Sequence, residues 1–152
     1  MTGEALWKAF AAERGLSGCE YEAWAFGAEA DLLAQLVVAG EKKATASAFP
    51  LYELENEPLP AVGEYSVILD ARDNAVCVIR TERVYIVPFS AVTAEHAYRE
   101  GEGDKSLEYW REVHERFFTD CMDAAGLRFT PEMKVVCEEF AVVYRPQDAI
   151  TR

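Results

Sequence analysis

Positive charge is scarce in this sequence: 15 Lys and Arg stand against 27 Asp and Glu, a formal net charge of −12. A surface of that sign repels a phosphate backbone at long range, so a long duplex nucleic acid is not expected as a partner. A small uncharged ligand would not meet that repulsion. Long apolar runs are missing too. The longest, Leu32 to Gly40, is broken by Gln35 and is far too short to cross a bilayer, so no membrane partner is expected. The acidic, amphipathic start MTGEALWKAF lacks the basic and apolar regions of a secretory signal, and a cytoplasmic location is expected. There is no CxxC pair. Cys19, Cys77, Cys121 and Cys137 are scattered, which argues against a thiolate zinc site and for four reduced, structural thiols. GxGxxG, the P-loop lysine motif, HExxH and GxSxG are all absent. Neither His96 nor His114 stands at a catalytic spacing from a cysteine or serine. No metal or cofactor is expected.

What remains is 152 residues with 51% apolar and 28% charged side chains, enough for one domain that folds without staples. The N-terminal third reads as helical: Leu6, Trp7 and Phe10 lie at helical spacing, and Gly15 should end that helix. Tyr21 to Phe26 supplies aromatics ahead of Gly27. AEADLLAQLVVAG then reads as a second helix, with Leu32, Leu33, Leu36 and Val37 as its apolar face and Gly40 as its left-handed cap. Lys43 to Ser47 is a candidate short strand. Pro50, Pro58 and Pro60 mark a loop or short helix. Glu64 to Leu69 is a strand and Asp70 to Asn74 a turn. Ala75 to Val87, dense in β-branched residues, reads as one long or two short strands. Thr93 should cap a short helix toward Arg99. A longer helix runs from about Lys105 to Ala125, with Leu107, Trp110, Val113, His114 and Phe117 on one face, and Gly126 ends it. Met133 to Arg145 is a closing strand. Helices, a meander, helices and a returning strand make an α+β pattern, suited to a small closed or half-closed barrel.

Two polar clusters follow structural breaks. In Gly40 to Ser47 a helix ends where a strand begins, so Lys42 and Thr45 could bring a cation and an alcohol to one cleft. By residue type alone, Lys42 and Lys43 read as solvent-facing. In Glu100 to Asp104, three carboxylates alternate with glycines. That loop could offer a general base or a weak site for a hard cation, although it does not match the calcium-loop pattern. Its plainer reading is an acidic loop that caps the next helix, with Asp104 near its positive N-terminal end. His114, between Trp110 and Phe117, reads as a hydrogen-bonded histidine at the core edge.

At these clusters the sequence resembles the ASCH domain, a PUA-like family. The resemblance is carried by GEKKATAS after an apolar helix, PLPAVGEYSVILD, VYIVPFSAVTAEHAYREGEGDKSLEYWREVHERFF and PEMKVVCEEFAVVY. Trp24 to Gly27 is similar to one larger bacterial branch. The resemblance implies a PUA-like small β-barrel with flanking helices, a single domain over residues 1–152 with a helical extension at about residues 1–20. It also implies a cleft for a modified nucleoside or short RNA. Small relatives resemble amidohydrolases that deacetylate N(4)-acetylcytidine with a Lys, a Thr and a Glu. These match Lys42, Thr45 and Glu100, with Glu102 the alternative carboxylate. Lys43, Ser47, Glu102 and Trp110 are candidate substrate contacts. Ser47 stands where those relatives carry an Arg. A non-catalytic RNA- or nucleotide-binding module and a metal-assisted ribonuclease are the rival implications. A basic surface from Lys42, Lys43, Arg72, Arg80 and Arg83 would favour RNA. A homodimer is compatible with the sequence.

Amide hydrolysis needs a nucleophile, a base and an oxyanion donor. Thr45 could be the nucleophile. Either a neutral, desolvated Lys42 deprotonates it while Glu100 positions substrate, or Glu100 is the base and the Lys42 ammonium holds the oxyanion.

Overall fold

A computed structural model describes residues 1–150 of the chain; Thr151 and Arg152, the last two residues of the expected domain, lie outside the described residues. The elements follow the sequence signals closely. Helix α1 (Gly3–Arg14) starts at Thr2, whose hydroxyl accepts the Ala5 N–H, and stops at the left-handed Gly15. Then come β1 (Glu22–Ala25), α2 (Ala30–Val38), β2 (Ala44–Ala48), α3 (Phe49–Glu55), β3 (Tyr65–Leu69) and β4 (Ala75–Pro88). A 3₁₀ turn at Phe89–Ala91 leads to α4 (Ala94–Glu100), α5 (Leu107–Ala124), β5 (Lys134–Tyr144) and the short α6 (Pro146–Ile150).

The five strands form one curled half-barrel sheet in the order β1-β3-β4-β5-β2. β1 runs parallel to β3 and the other neighbours are antiparallel. The expected meander is β3–β4, with the Asp70 turn between. Ala75 to Val87 is one strand, and it extends to Pro88. Register shifts at Val78/Ile79 and between Thr81 and Arg83 let so long a strand bend with the sheet.

Three apolar clusters hold the helices to the sheet. Leu6, Trp7 and Phe10 of α1 pack on Val67, Val78 and Tyr144, so the N-terminal extension is part of the core. Ala34 and Val37 of α2 pack on Ile68, Cys77, Ile79 and Phe140. Trp110, Phe118 and Met122 of α5 join Phe89, Val135 and Cys137. Full burial of side chains of this size contributes roughly 1.5–3 kcal/mol each.

Four expectations are corrected. Leu32 lies outside the α2 core face and is 52% exposed; the small Ala34 takes the inward position instead. Glu22–Ala25 is a strand, because it has β3 to pair with, a partner some forty residues away that no local pattern announces. Asp104 does not cap α5: Ser106 does, its hydroxyl accepting the Tyr109 N–H, while Asp104 accepts from the Ser106 N–H. The basic surface does not form as a unit, since Lys42 is buried and Arg83 is paired with Glu139.

Candidate functional site

Lys42 follows α2 and precedes β2, 58 positions before Glu100. The backbone brings them together. The Lys43 N–H donates to the Arg99 carbonyl at the end of α4, and the Phe140 N–H donates to the Lys43 carbonyl. Gly101 caps α4 with φ of 72°, and a Cβ there would run into the Glu41 carbonyl. Only glycine lets the α4 terminus settle this close to the chain entering β2. Gly103 does the same for the loop beyond: a Cβ there would strike the Tyr109 ring.

The result is a buried polar cluster. The Lys42 ammonium donates to Glu100 Oε1 at 3.0 Å and to Glu102 Oε2 at 2.8 Å. Glu100 Oε2 accepts from the Trp110 indole N–H at 2.6 Å and from His96 Nε2 at 2.7 Å. A carboxylate only accepts, so His96 donates through Nε2; its Nδ1 lies 3.3 Å from the Tyr85 hydroxyl. His114 donates Nδ1–H to the Trp110 carbonyl at 2.9 Å, stacks on the Trp110 ring, and puts Nε2 3.5 Å from Glu100 Oε1.

These contacts set the charges. Burial opposes the charge on Lys42, but Glu100 and then Glu102 outweigh it and raise the pKa above the ordinary lysine value. Burial likewise opposes ionisation of Glu100, yet Lys42, then His114 and His96, hold its carboxyl well below the ordinary range. His114 is raised against the cost of burial by its bond to Glu100 and the charges of Glu100 and Glu102. At neutral pH the cluster is therefore a fixed ammonium–carboxylate pair. Lys42 is not a neutral base here. Glu100, with both oxygens engaged, orients Lys42.

Lys42, Glu100, Glu102 and His114 of this cluster line a cavity of about 500 Å³. Its wall includes Glu22 and Trp24 of β1, Thr45 and Ser47 of β2, Tyr52 of α3, Ser66 of β3, Thr81 of β4, Glu138 of β5 and Phe117 of α5. That volume is in the range of small-ligand pockets. The Thr45 hydroxyl has no hydrogen-bond partner among the described residues, while Ser47 shares a hydrogen bond with the Tyr52 hydroxyl at 2.8 Å. Lys42, Thr45, Glu100, Glu102 and Ser47 thus meet on one recess. Lys43 and Trp110 do not line it: Lys43 is exposed, and Trp110 is buried behind Glu100. Sequence reasoning missed the groups that hold Glu100. The spacing of His96 and Glu100, one helical turn apart, was the available signal.

Glu100, Glu102 and His114 offer three ligand atoms within 4.8 Å of one another. The Lys42 ammonium is bonded to both carboxylates, so a divalent ion there would compete with it.

The fold is shared with solved structures. No curated protein matches the sequence significantly. The crystal structure of an ASCH domain from Lactobacillus crispatus JV V101 is 30% identical, with a TM-score of 0.89 and 94% of each chain covered. A crystal structure of a protein from Enterococcus faecalis V583 is 35% identical, with a TM-score of 0.88, covering 98% of this chain and 92% of that one. A third, the hypothetical protein PH0355, shares the fold at 16% identity and a TM-score of 0.54, covering 82% of this chain and 100% of that one. The family model described as the ASCH domain matches residues 22–144. With the model spanning the whole sheet and most of the helices, the chain belongs to the ASCH domain family.

Proposed function

We propose that this protein is an amidohydrolase of N(4)-acylated cytidine or a closely similar acylated nucleobase. The observation that carries this is the meeting of Lys42, Thr45 and Glu100 at one cavity of nucleoside size, with Lys42 held charged. An ammonium fixed by two carboxylates is a preorganised donor for the oxygen of a tetrahedral intermediate. Thr45 supplies an uncommitted hydroxyl as nucleophile. A charged Lys42 suits the oxyanion role rather than that of base, and Glu100, with both oxygens engaged, is not free to be the base either. Trp24, Phe26 and Phe117 give the base apolar faces to lie against.

The charge of the wall favours a nucleoside over an RNA strand. Among the described residues seven glutamates and one lysine line the cavity, so a phosphodiester would enter against repulsion, whereas an uncharged acylated base would not. Wild type should release cytidine from N(4)-acetylcytidine, with little response to added salt. Thr45→Val, which keeps shape and removes the hydroxyl, should lower the rate by about 100-fold or more. No release by wild type, or undiminished release by Thr45→Val, would remove the proposal. Steeply salt-sensitive binding of a short RNA without turnover would favour the binding module instead.

A further inference from the structure

The reaction just described lacks a base. Glu100 has both oxygens engaged, and Glu102 is bonded to Lys42. Glu22, Glu29, Glu57 and Glu64 are exposed. Glu138 differs from all of these. It lies largely inside the cavity wall, and no hydrogen bond or ion pair involves it among the described residues. In the β2–β5 ladder it stands directly opposite Thr45. Side chains so placed share a face, with Cβ atoms roughly 4.5–5.5 Å apart.

We propose that Glu138 is a catalytic residue of this cavity, the group that carries the proton between the Thr45 hydroxyl and the leaving nitrogen, a role that rests on the amidohydrolase reading. The Glu138 carboxylate takes the hydroxyl proton as Thr45 Oγ bonds to the acyl carbon. The carbonyl π pair moves to oxygen and is held by the Lys42 ammonium. The intermediate collapses, the C–N bond breaks, and the nitrogen takes the proton from Glu138, leaving free cytidine and an acyl-threonine ester. Water then repeats the cycle: Glu138 takes its proton, hydroxide bonds to the acyl carbon, and the C–Oγ bond breaks. Thr45 regains its proton from Glu138 and the carboxylic acid departs. The sum is amide plus water to amine plus acid.

The surroundings of Glu138 suit this task. The titratable groups facing it are Glu64, Glu22 and the Tyr52 phenol, and no cation is among them; Val84 of β4 pairs on its other side. Burial first, then the negative charge of Glu64 and of Glu22, pushes the carboxyl up to about 7. A base is most effective when its pKa lies near the working pH.

The test uses the full chain, two acyl donors and three proteins: wild type, Glu138→Gln and Glu138→Asp. With N(4)-acetylcytidine, wild-type kcat should rise with pH and level off above about 7. Glu138→Gln should lose about 100-fold or more in kcat, with KM moving less than about threefold, and should lose the rising limb. Glu138→Asp should recover part of both. The second donor, p-nitrophenyl acetate, reads acyl transfer without nucleoside recognition. Activity of wild type on both donors, with Glu138→Gln keeping its rate and limb, overturns the role of Glu138 and leaves the amidohydrolase standing. Activity on the ester alone, lost in Glu138→Gln, supports Glu138 while overturning the acylated-nucleoside substrate. Inactivity on both donors overturns the two together.

Discussion

Glu100 and Glu138 are two largely buried carboxyls on the wall of one cavity, and the protein treats them oppositely. Burial pushes both toward the neutral form. Glu100 is met by Lys42, His114, His96 and Trp110 and stays ionised. Glu138 is met by two further carboxylates and is pushed up to about 7. Depth does not decide the charge; the company at that depth does. One carboxyl is thereby fixed and the other can exchange a proton.

The most drastic way to break the contrast is to strip Glu100 of its cation. Lys42→Ala leaves a buried carboxylate unpaired and should cost about 3–5 kcal/mol in urea unfolding at neutral pH. The depressed pKa of Glu100 fixes the sign of the pH dependence. Its stabilisation is present above the unfolded pKa and is lost as pH falls through the folded one, so the gap between wild type and variant should narrow in acid. A smaller effect of opposite sign is expected at Glu138. The raised pKa of Glu138 leaves the protein unpenalised below the unfolded value of 4.5 and increasingly penalised as pH rises through about 7. Glu138→Gln should therefore unfold at higher urea than wild type at about pH 8, by up to about 3 kcal/mol, and match it by about pH 4.

Much of the fold was legible because local chemistry decides it. Gly15 ends one helix and Thr93 begins another where their backbone and side-chain preferences say they should. The strand β1 was not legible: four residues, Glu22 to Ala25, become a strand only through a parallel partner far along the chain. The same limit governs the site. Lys42, Thr45 and Glu100 could be picked out by resemblance to a family, but nothing in GEKKATAS says that Lys42 turns inward and Lys43 outward. The docking of Gly101 on Glu41, which brings the α4 terminus to that turn, is a contact between distant parts of the chain. Trp110 was expected against the substrate because tryptophans stack on bases; it instead donates its N–H to Glu100. Glu138 had a signal that went unused. In VVCEEF two adjacent glutamates stand in a strand, where side chains alternate, so one of them had to face inward.

The contrast can be read directly by carbon-13 NMR of the glutamate side-chain carboxyls across a pH titration, with Glu138→Gln and Glu100→Gln as assignment controls. The Glu138 signal should move with a midpoint near 7, and that midpoint should fall when Glu64→Gln removes the negative charge with the larger effect. The Glu100 signal should stay that of a carboxylate well below the ordinary glutamate range. A Glu138 midpoint at the ordinary 4.5, or the two carboxyls titrating together, would contradict the division of the cavity into a fixed pair and a proton carrier.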